Sequence, residues 1–163
     1  MGALIALAAL AVAAACLREA LLGGMPDMVP EPAVPDIPAD PALAGVERMG
    51  GRDFEAFCHD LLARHGYSEI TTVSVPGASG ADITARKDGE KWAFRCRRPP
   101  ETVDRDTVWE ALRAAGRCRC SRCAVLSTGG FGWRARRFAE GSCVRLIGRD
   151  ELKRMMDEAG MAA

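Results

Sequence analysis

The sequence has no net charge, with 22 basic and 22 acidic residues, and it holds only two histidines and three lysines. Both histidines, His59 and His65, fall on one predicted helix or at its end, where they read as surface residues rather than metal ligands. An even cysteine set is also missing. The seven cysteines (16, 58, 96, 118, 120, 123 and 143) are irregularly spaced, which argues against a disulfide framework and leaves reduced thiols as the simpler reading. No internal repeat is visible, so stacked repeat architectures are set aside. At 163 residues the chain suits one modest domain with an appendage.

The zero net charge is an average over two unlike parts. Residues 1–47 hold one basic and six acidic residues, whereas residues 48–163 hold 21 basic and 16 acidic. Within 95–137 eleven arginines face four acids. Arginine grips phosphate with a fixed fork of donors, so this clustering points to an anionic partner. Charge alone supports a solvated, arginine-biased face equally well.

Residues 1–17 (MGALIALAALAVAAACL) form an unbroken apolar run. As a helix it would span roughly 25 Å, the lower limit for a bilayer. A cleavable signal peptide is the rival reading, with Ala13-Ala14-Ala15 as the cleavage site. No Lys or Arg precedes the run, however, and the first flanking charge is Arg18. The expectation is therefore a single-pass anchor over residues 1–22 in the inner membrane, with the rest of the chain in the cytoplasm. Residues 25–45 hold six of the nine prolines, mixed with acids. Such a stretch predicts an extended tether without helix or core, covering 23–47.

The packed domain is expected over 48–157, with 158–163 as a tail. Phe54, Phe57, Cys58, Leu61 and Leu62 make one apolar helical stripe, with Asp53 as N-cap and Gly66 as the stop. Strands are predicted at 69–76, 80–86, 91–97, 123–128 and 143–147, and further helices at 104–117, 132–140 and 149–156. Val108, Leu112 and Ala115 share one face of the 104–117 helix. The order αβββαβαβα implies an α/β sandwich, a mixed sheet covered by helices and preceded by one N-terminal apolar helix.

Lys87-Asp88-Gly89-Glu90 reads as a tight hairpin, so residue 87 should pair with 90. Counting back places Asp82 across from Arg95 and Gly80 across from Arg97. Asp82, Arg95 and Arg97 would then share one face, with Ile83, Trp92, Phe94 and Cys96 on the other. Geometry leaves two readings open, a functional site and an exposed Asp82–Arg95 ion pair worth roughly 0.2–1 kcal/mol.

Phe54-Glu55, Gly66-Tyr67, Gly80-Ala81-Asp82-Ile83 and Phe94-Arg95-Cys96-Arg97 occur in the order seen in the Mrr-type restriction endonuclease catalytic domain, a member of the PD-(D/E)xK nuclease superfamily. The strand ending near Thr128 and the helix to Ala139 resemble the family's closing segment. The resemblance implies a restriction-endonuclease-like sandwich and metal-dependent hydrolysis of DNA phosphodiesters. It places Asp82 as a Mg²⁺ ligand and Glu55 as an assisting helix glutamate. Arg95 stands where the family has Gln or Glu, and Arg97 where it has Lys. Arginine offers a metal no lone pair, and it is a poor proton acceptor. Counting Asp82, Arg95 and Arg97 gives a local charge of +1, so weak Mg²⁺ binding and little cleavage are expected.

Arg98, Trp133, Arg134, Arg136 and Arg137 are candidates for DNA backbone contact, although Trp133 could equally pack on the sheet. Cys118, Cys120 and Cys123, with Cys96 or Cys143 as a fourth group, are a Zn²⁺ candidate whose spacing does not match paired knuckles. Two function classes follow. One is a membrane-tethered DNA-binding protein of the endonuclease family with impaired cleavage. The other is an inactive interaction module that retains the fold. DNA, the membrane and a second copy of the chain are the expected partners.

Overall fold

The structure is a computed structural model, and it describes residues 40–73, 81–98 and 102–161. The expected anchor at 1–22, most of the tether, Cys16, Gly80 and Pro99-Pro100 lie outside the described residues. Among the described residues no helix is long and apolar enough to cross a membrane.

The chain forms helix α1 (Ala44–Arg48), helix α2 (Gly51–Arg64), strands β1 (Ser68–Thr72), β2 (Ile83–Lys87) and β3 (Glu90–Arg97), and helix α3 (Arg105–Arg117). Strand β4 (Arg122–Ser127), helix α4 (Trp133–Glu140), strand β5 (Val144–Ile147) and helix α5 (Arg149–Glu158) complete it. The five strands lie in the order β1-β2-β3-β4-β5. β1–β2 and β2–β3 pair antiparallel, and β3–β4 and β4–β5 pair parallel. This mixed sheet flanked by helices is the expected sandwich.

Strand alternation sorts the core into two layers. Ile83, Ala85, Phe94, Cys96, Ala124, Leu126 and Ile147 face Val46, Phe54, Leu61 and Leu152 of α1, α2 and α5. Ala93, Cys123, Val125 and Val144 face Val108, Leu112, Ala115, Ala135 and Phe138 of α3 and α4. The expected stripe of α3 is buried as read, with Val108, Leu112 and Ala115 fully inaccessible. Tyr67, Trp92 and Phe94 pack as an aromatic group, with Tyr67 edge-on to Phe94 at 5.3 Å between ring centroids.

The hairpin forms as the sequence implies. Lys87 pairs with Glu90, and Asp88 and Gly89 take φ of 53° and 77°, the left-handed pair a two-residue turn requires. Helix α2 starts earlier than read, with Gly50 rather than Asp53 at its N-cap, and Gly66 ends it at φ 79°.

The tether is shorter than composition implies. Leu43 and Val46 are fully buried in the core, and α1 occupies part of the segment expected to lack helix. Asp40 accepts a hydrogen bond from the Ala42 amide at 2.9 Å, and Pro41 follows it. Asp40 and Pro41 shape the turn over 41–43 that leads into α1, and the surrounding prolines obscure it.

Candidate active site

The site lies where β3 and β4, running parallel, end beside the N-termini of α2 and α3. Asp82 sits just before β2 at a fork between three strands. Its amide donates to the Phe94 carbonyl at 2.8 Å, and its carbonyl accepts from the Val73 amide at 2.8 Å. Ile83 also pairs with Phe94. Two residues therefore oppose one, which is a β-bulge, and the register slips at Asp82.

This corrects the expected pairing of Asp82 directly across from Arg95. The bulge turns the carboxylate along the sheet, where Oδ2 accepts a hydrogen bond from the Cys96 amide at 2.6 Å. From there Asp82 acts on both layers. Its charge helps to raise the Glu55 pKa on α2, and it acts against the lowering of the Arg95 pKa on the other face.

Glu55 lies in the second turn of α2, half-buried. Burial is the main cause of its raised pKa and the Asp82 charge the second, while Arg52 and Arg97 pull it down. Glu55, Asp82 and Arg97 thus lie within electrostatic reach of one another. Arg95 and Arg97 both point to the α3 side, where each reaches Glu110. Their shared anchor is Glu110 of α3, which the sequence reading missed. Glu110 Oε2 lies 2.6 Å from Arg95 Nη2 and 3.9 Å from Arg97 Nη2. The Arg95 side chain is only 12% exposed. Burial and the neighbouring Arg97 lower its pKa, and Asp82 and Glu110 counter them.

The expected local charge of +1 counted too few groups. With Glu55 and Glu110 included, three carboxylates meet two arginines and the inner site is −1. Arg52, which acts on Glu55, and Arg98 on the rim bring it back to +1. Donor supply, rather than charge, is what limits a cation here. Among the described residues no three His, Cys, Asp or Glu side chains gather in a way that could hold a metal ion. Arg95 stands where the resemblance has Gln or Glu and offers no lone pair, and one Asp82 oxygen is engaged by a backbone amide. The described residues therefore do not fit a full divalent-cation centre.

Beside this cluster opens a cleft of about 360 Å³. Glu55, Arg97, Arg98, Thr102 and Thr107 line it, with Gly51 at the start of α2. Neither threonine was singled out by sequence. The Asp104 side chain caps α3 by accepting from the Thr107 amide at 2.8 Å. Val103 forms the cleft's far wall and bonds on both sides to the loop before α4. Its amide donates to the Gly130 carbonyl at 2.9 Å, and its carbonyl accepts from the Gly132 amide at 2.9 Å.

That contact sets α4 beside the cleft. Trp133, at the first turn of α4, is 39% exposed and stands out among the large apolar side chains of the described residues. This favours the contact reading over packing on the sheet. The Arg134 guanidinium lies 5.6 Å from the Trp133 ring centre. Arg136 and Arg137 are exposed, and Arg136 Nε donates to the Phe131 carbonyl at 3.1 Å.

The cysteine group near the start of β4 is arranged differently from a zinc knuckle. Cys118 caps α3, and Cys120 is buried with its thiol 3.7 Å from the Cys118 carbonyl. Cys123 is buried in β4, where its thiol acts on that of Cys143 rather than joining them. His65, read as a surface residue, bonds by Nε2 to the Met155 carbonyl at 2.8 Å and helps to seat α5 on α2.

Residues 46–156 match the restriction endonuclease catalytic family, Mrr_cat. The fold is similar to that of AspBHI, a DNA modification-dependent restriction endonuclease, at a TM-score of 0.56 and 15% identity. That match covers 90% of this chain and 44% of AspBHI. It is also similar to the MspJI restriction endonuclease solved in complex with a 27-mer oligonucleotide, at 0.51 and 18% identity, covering 88% of this chain and 38% of MspJI. A protein of unknown function, AF1548, aligns at 0.55 and 17% identity, covering 66% of this chain and 65% of its own. The chain thus spans less than two thirds of each of these structures. No curated protein matches it. By the match over residues 46–156, the chain belongs to the Mrr-type restriction endonuclease catalytic-domain family.

Proposed function

We propose that the chain is a membrane-tethered, DNA-binding member of its endonuclease family in which phosphodiester hydrolysis is impaired. The observation that carries this reading is Arg95 held by Glu110 at 2.6 Å, at the position that resembles the family's metal-holding Gln or Glu. A guanidinium there supplies a fixed positive charge and no lone pair. Divalent metal, when bound in this family, supplies Lewis-acid and water-activating chemistry. The residues of this chain are suited to binding and orienting DNA. Arg97 and Arg98 present forked donors to backbone phosphates in the cleft, while Trp133, Arg134, Arg136 and Arg137 extend the basic surface. Glu110 holds both arginines, and Asp82 and Glu55 add negative charge beside them. Mg²⁺ would act at Asp82 only if cleavage is retained.

The apolar run at 1–17 supports tethering to the inner membrane, with the basic domain in the cytoplasm. A homodimer fits the same reading, since a second copy would double the basic face. An inactive interaction module with the same fold is the second reading, favoured by the same arginine substitutions.

Electrophoretic shift of a DNA duplex by the full chain, in EDTA and over a salt series, tests the proposal. Binding that persists in EDTA and falls steeply with salt is expected. Absence of binding at low salt would favour the interaction module.

A further inference from the structure

Two strands of the parallel half of the sheet bring a second pair of reactive groups together, away from the arginine cluster. Cys123 of β4 aligns with Val144 of β5, and Cys143 immediately precedes Val144. Neighbouring strands lie about 4.8 Å apart and each residue advances about 3.3 Å, which sets these two Cα atoms roughly 6 Å apart. A disulfide joins Cα atoms about 4.4–6.8 Å apart. Both side chains face the same apolar layer, Cys123 as part of it and Cys143 packed against it. The Cys123 thiol acts directly on that of Cys143.

The two differ in access. Cys123 is fully buried, whereas Cys143 is half-buried at the bend before β5. Cys143 also differs from Cys120 and Cys96. The hydrogen bond from Cys123 is the main cause that brings the Cys143 thiol down to about 7, with its own backbone and Arg122 assisting against burial. Burial pushes Cys120 up to about 11, and the contact with Cys58 raises Cys96 well above the usual thiol range. Near neutral pH, Cys143 therefore holds far more of the nucleophilic thiolate.

We propose that Cys143 and Cys123 form a peroxide-oxidisable dithiol, with Cys143 as the attacking group and Cys123 as the resolving group behind it. The Cys143 thiolate attacks one oxygen of hydrogen peroxide. The O–O bond breaks, hydroxide leaves and takes up a proton as water, and the sulfur becomes a sulfenic acid. The Cys123 sulfur then gives up its proton and bonds to that sulfur, expelling a second water. Two thiols and one peroxide yield one disulfide and two waters. The link closes the β4–α4–β5 segment, which carries Trp133, Arg134, Arg136 and Arg137. It stands independently of whether the cleft binds DNA.

The test is peptide mass mapping of the reduced full chain after hydrogen peroxide treatment at neutral pH and maleimide blocking. A dominant Cys123–Cys143 disulfide is expected, with Cys58, Cys96, Cys118 and Cys120 alkylated. Cys123→Ser should stop the reaction at a Cys143 sulfenic acid that dimedone captures, and Cys143→Ser should abolish the link. Cys143 recovered as a maleimide adduct after peroxide would overturn the proposal. So would a dominant link through any other cysteine, Cys16 included. These wild-type outcomes decide it without relying on either variant.

Discussion

The two ends of the sheet treat charge in opposite ways. Around the hairpin, ions are matched one to one at the rim of the molecule. Arg86 pairs with Glu69 at 3.0 Å, Arg122 with Glu90 at 2.9 Å, and Arg145 with Glu151. These pairs are largely exposed, and their arrangement needs no function. At the other end two arginines share Glu110, two carboxylates repel one another, and burial shifts both kinds of group. Crowding of this kind is typical of a working site, because an isolated surface pair gains little from it. The residue types are the same at both ends. What differs is the bulge at Asp82 and the depth of Arg95.

That difference can be broken stepwise. Glu110→Ala removes the carboxylate from a mostly buried arginine and should cost about 2 kcal/mol in denaturant unfolding. Arg97→Ala should weaken DNA binding about tenfold and reduce the salt slope by roughly one phosphate contact, with fold stability little changed. Glu55→Gln tests the carboxylate repulsion through pH. The folded pKa of Glu55 is raised, so its favourable contribution is fully present only below the ordinary carboxylate pKa and is lost as pH rises through the folded value. The glutamine variant should therefore unfold at higher denaturant than wild type near neutral pH, and this gain should vanish in acid. Glu90→Ala, at the hairpin end, should cost under about 1 kcal/mol and lose its effect in high salt. If Glu90→Ala proved as costly as Glu110→Ala, the contrast between the two ends would fail.

Much of the frame was legible because it depends on local rules. The Asp88-Gly89 turn fixed the register from Lys87↔Glu90 through Ile83↔Phe94, and alternation then assigned Phe94 and Cys96 to the core. The count failed one residue later. The bulge at Asp82 comes with bonds to Phe94, Val73 and the Cys96 amide, and none of these contacts leaves a local trace in the sequence. Glu110 was missed for a similar reason. It flanks the buried stripe of α3, where helix periodicity reads it as a solvated residue, and only the packing of α3 over β3 brings it to Arg95. Helix α1 did leave a signal, Asp40-Pro41 followed by Leu43 and Val46 three residues apart, but the proline-rich composition around it masked it. Thr102 and Thr107 became visible as cleft residues only through the fold.

We propose that this end of the sheet grips DNA without cutting it efficiently. Incubating the full chain with supercoiled plasmid and Mg²⁺ or Mn²⁺, followed by protein removal and electrophoresis, tests it most directly. The account predicts plasmid that is retarded before protein removal and still supercoiled after it. Nicked or linear plasmid that accumulates with wild type and disappears with Asp82→Ala would contradict it.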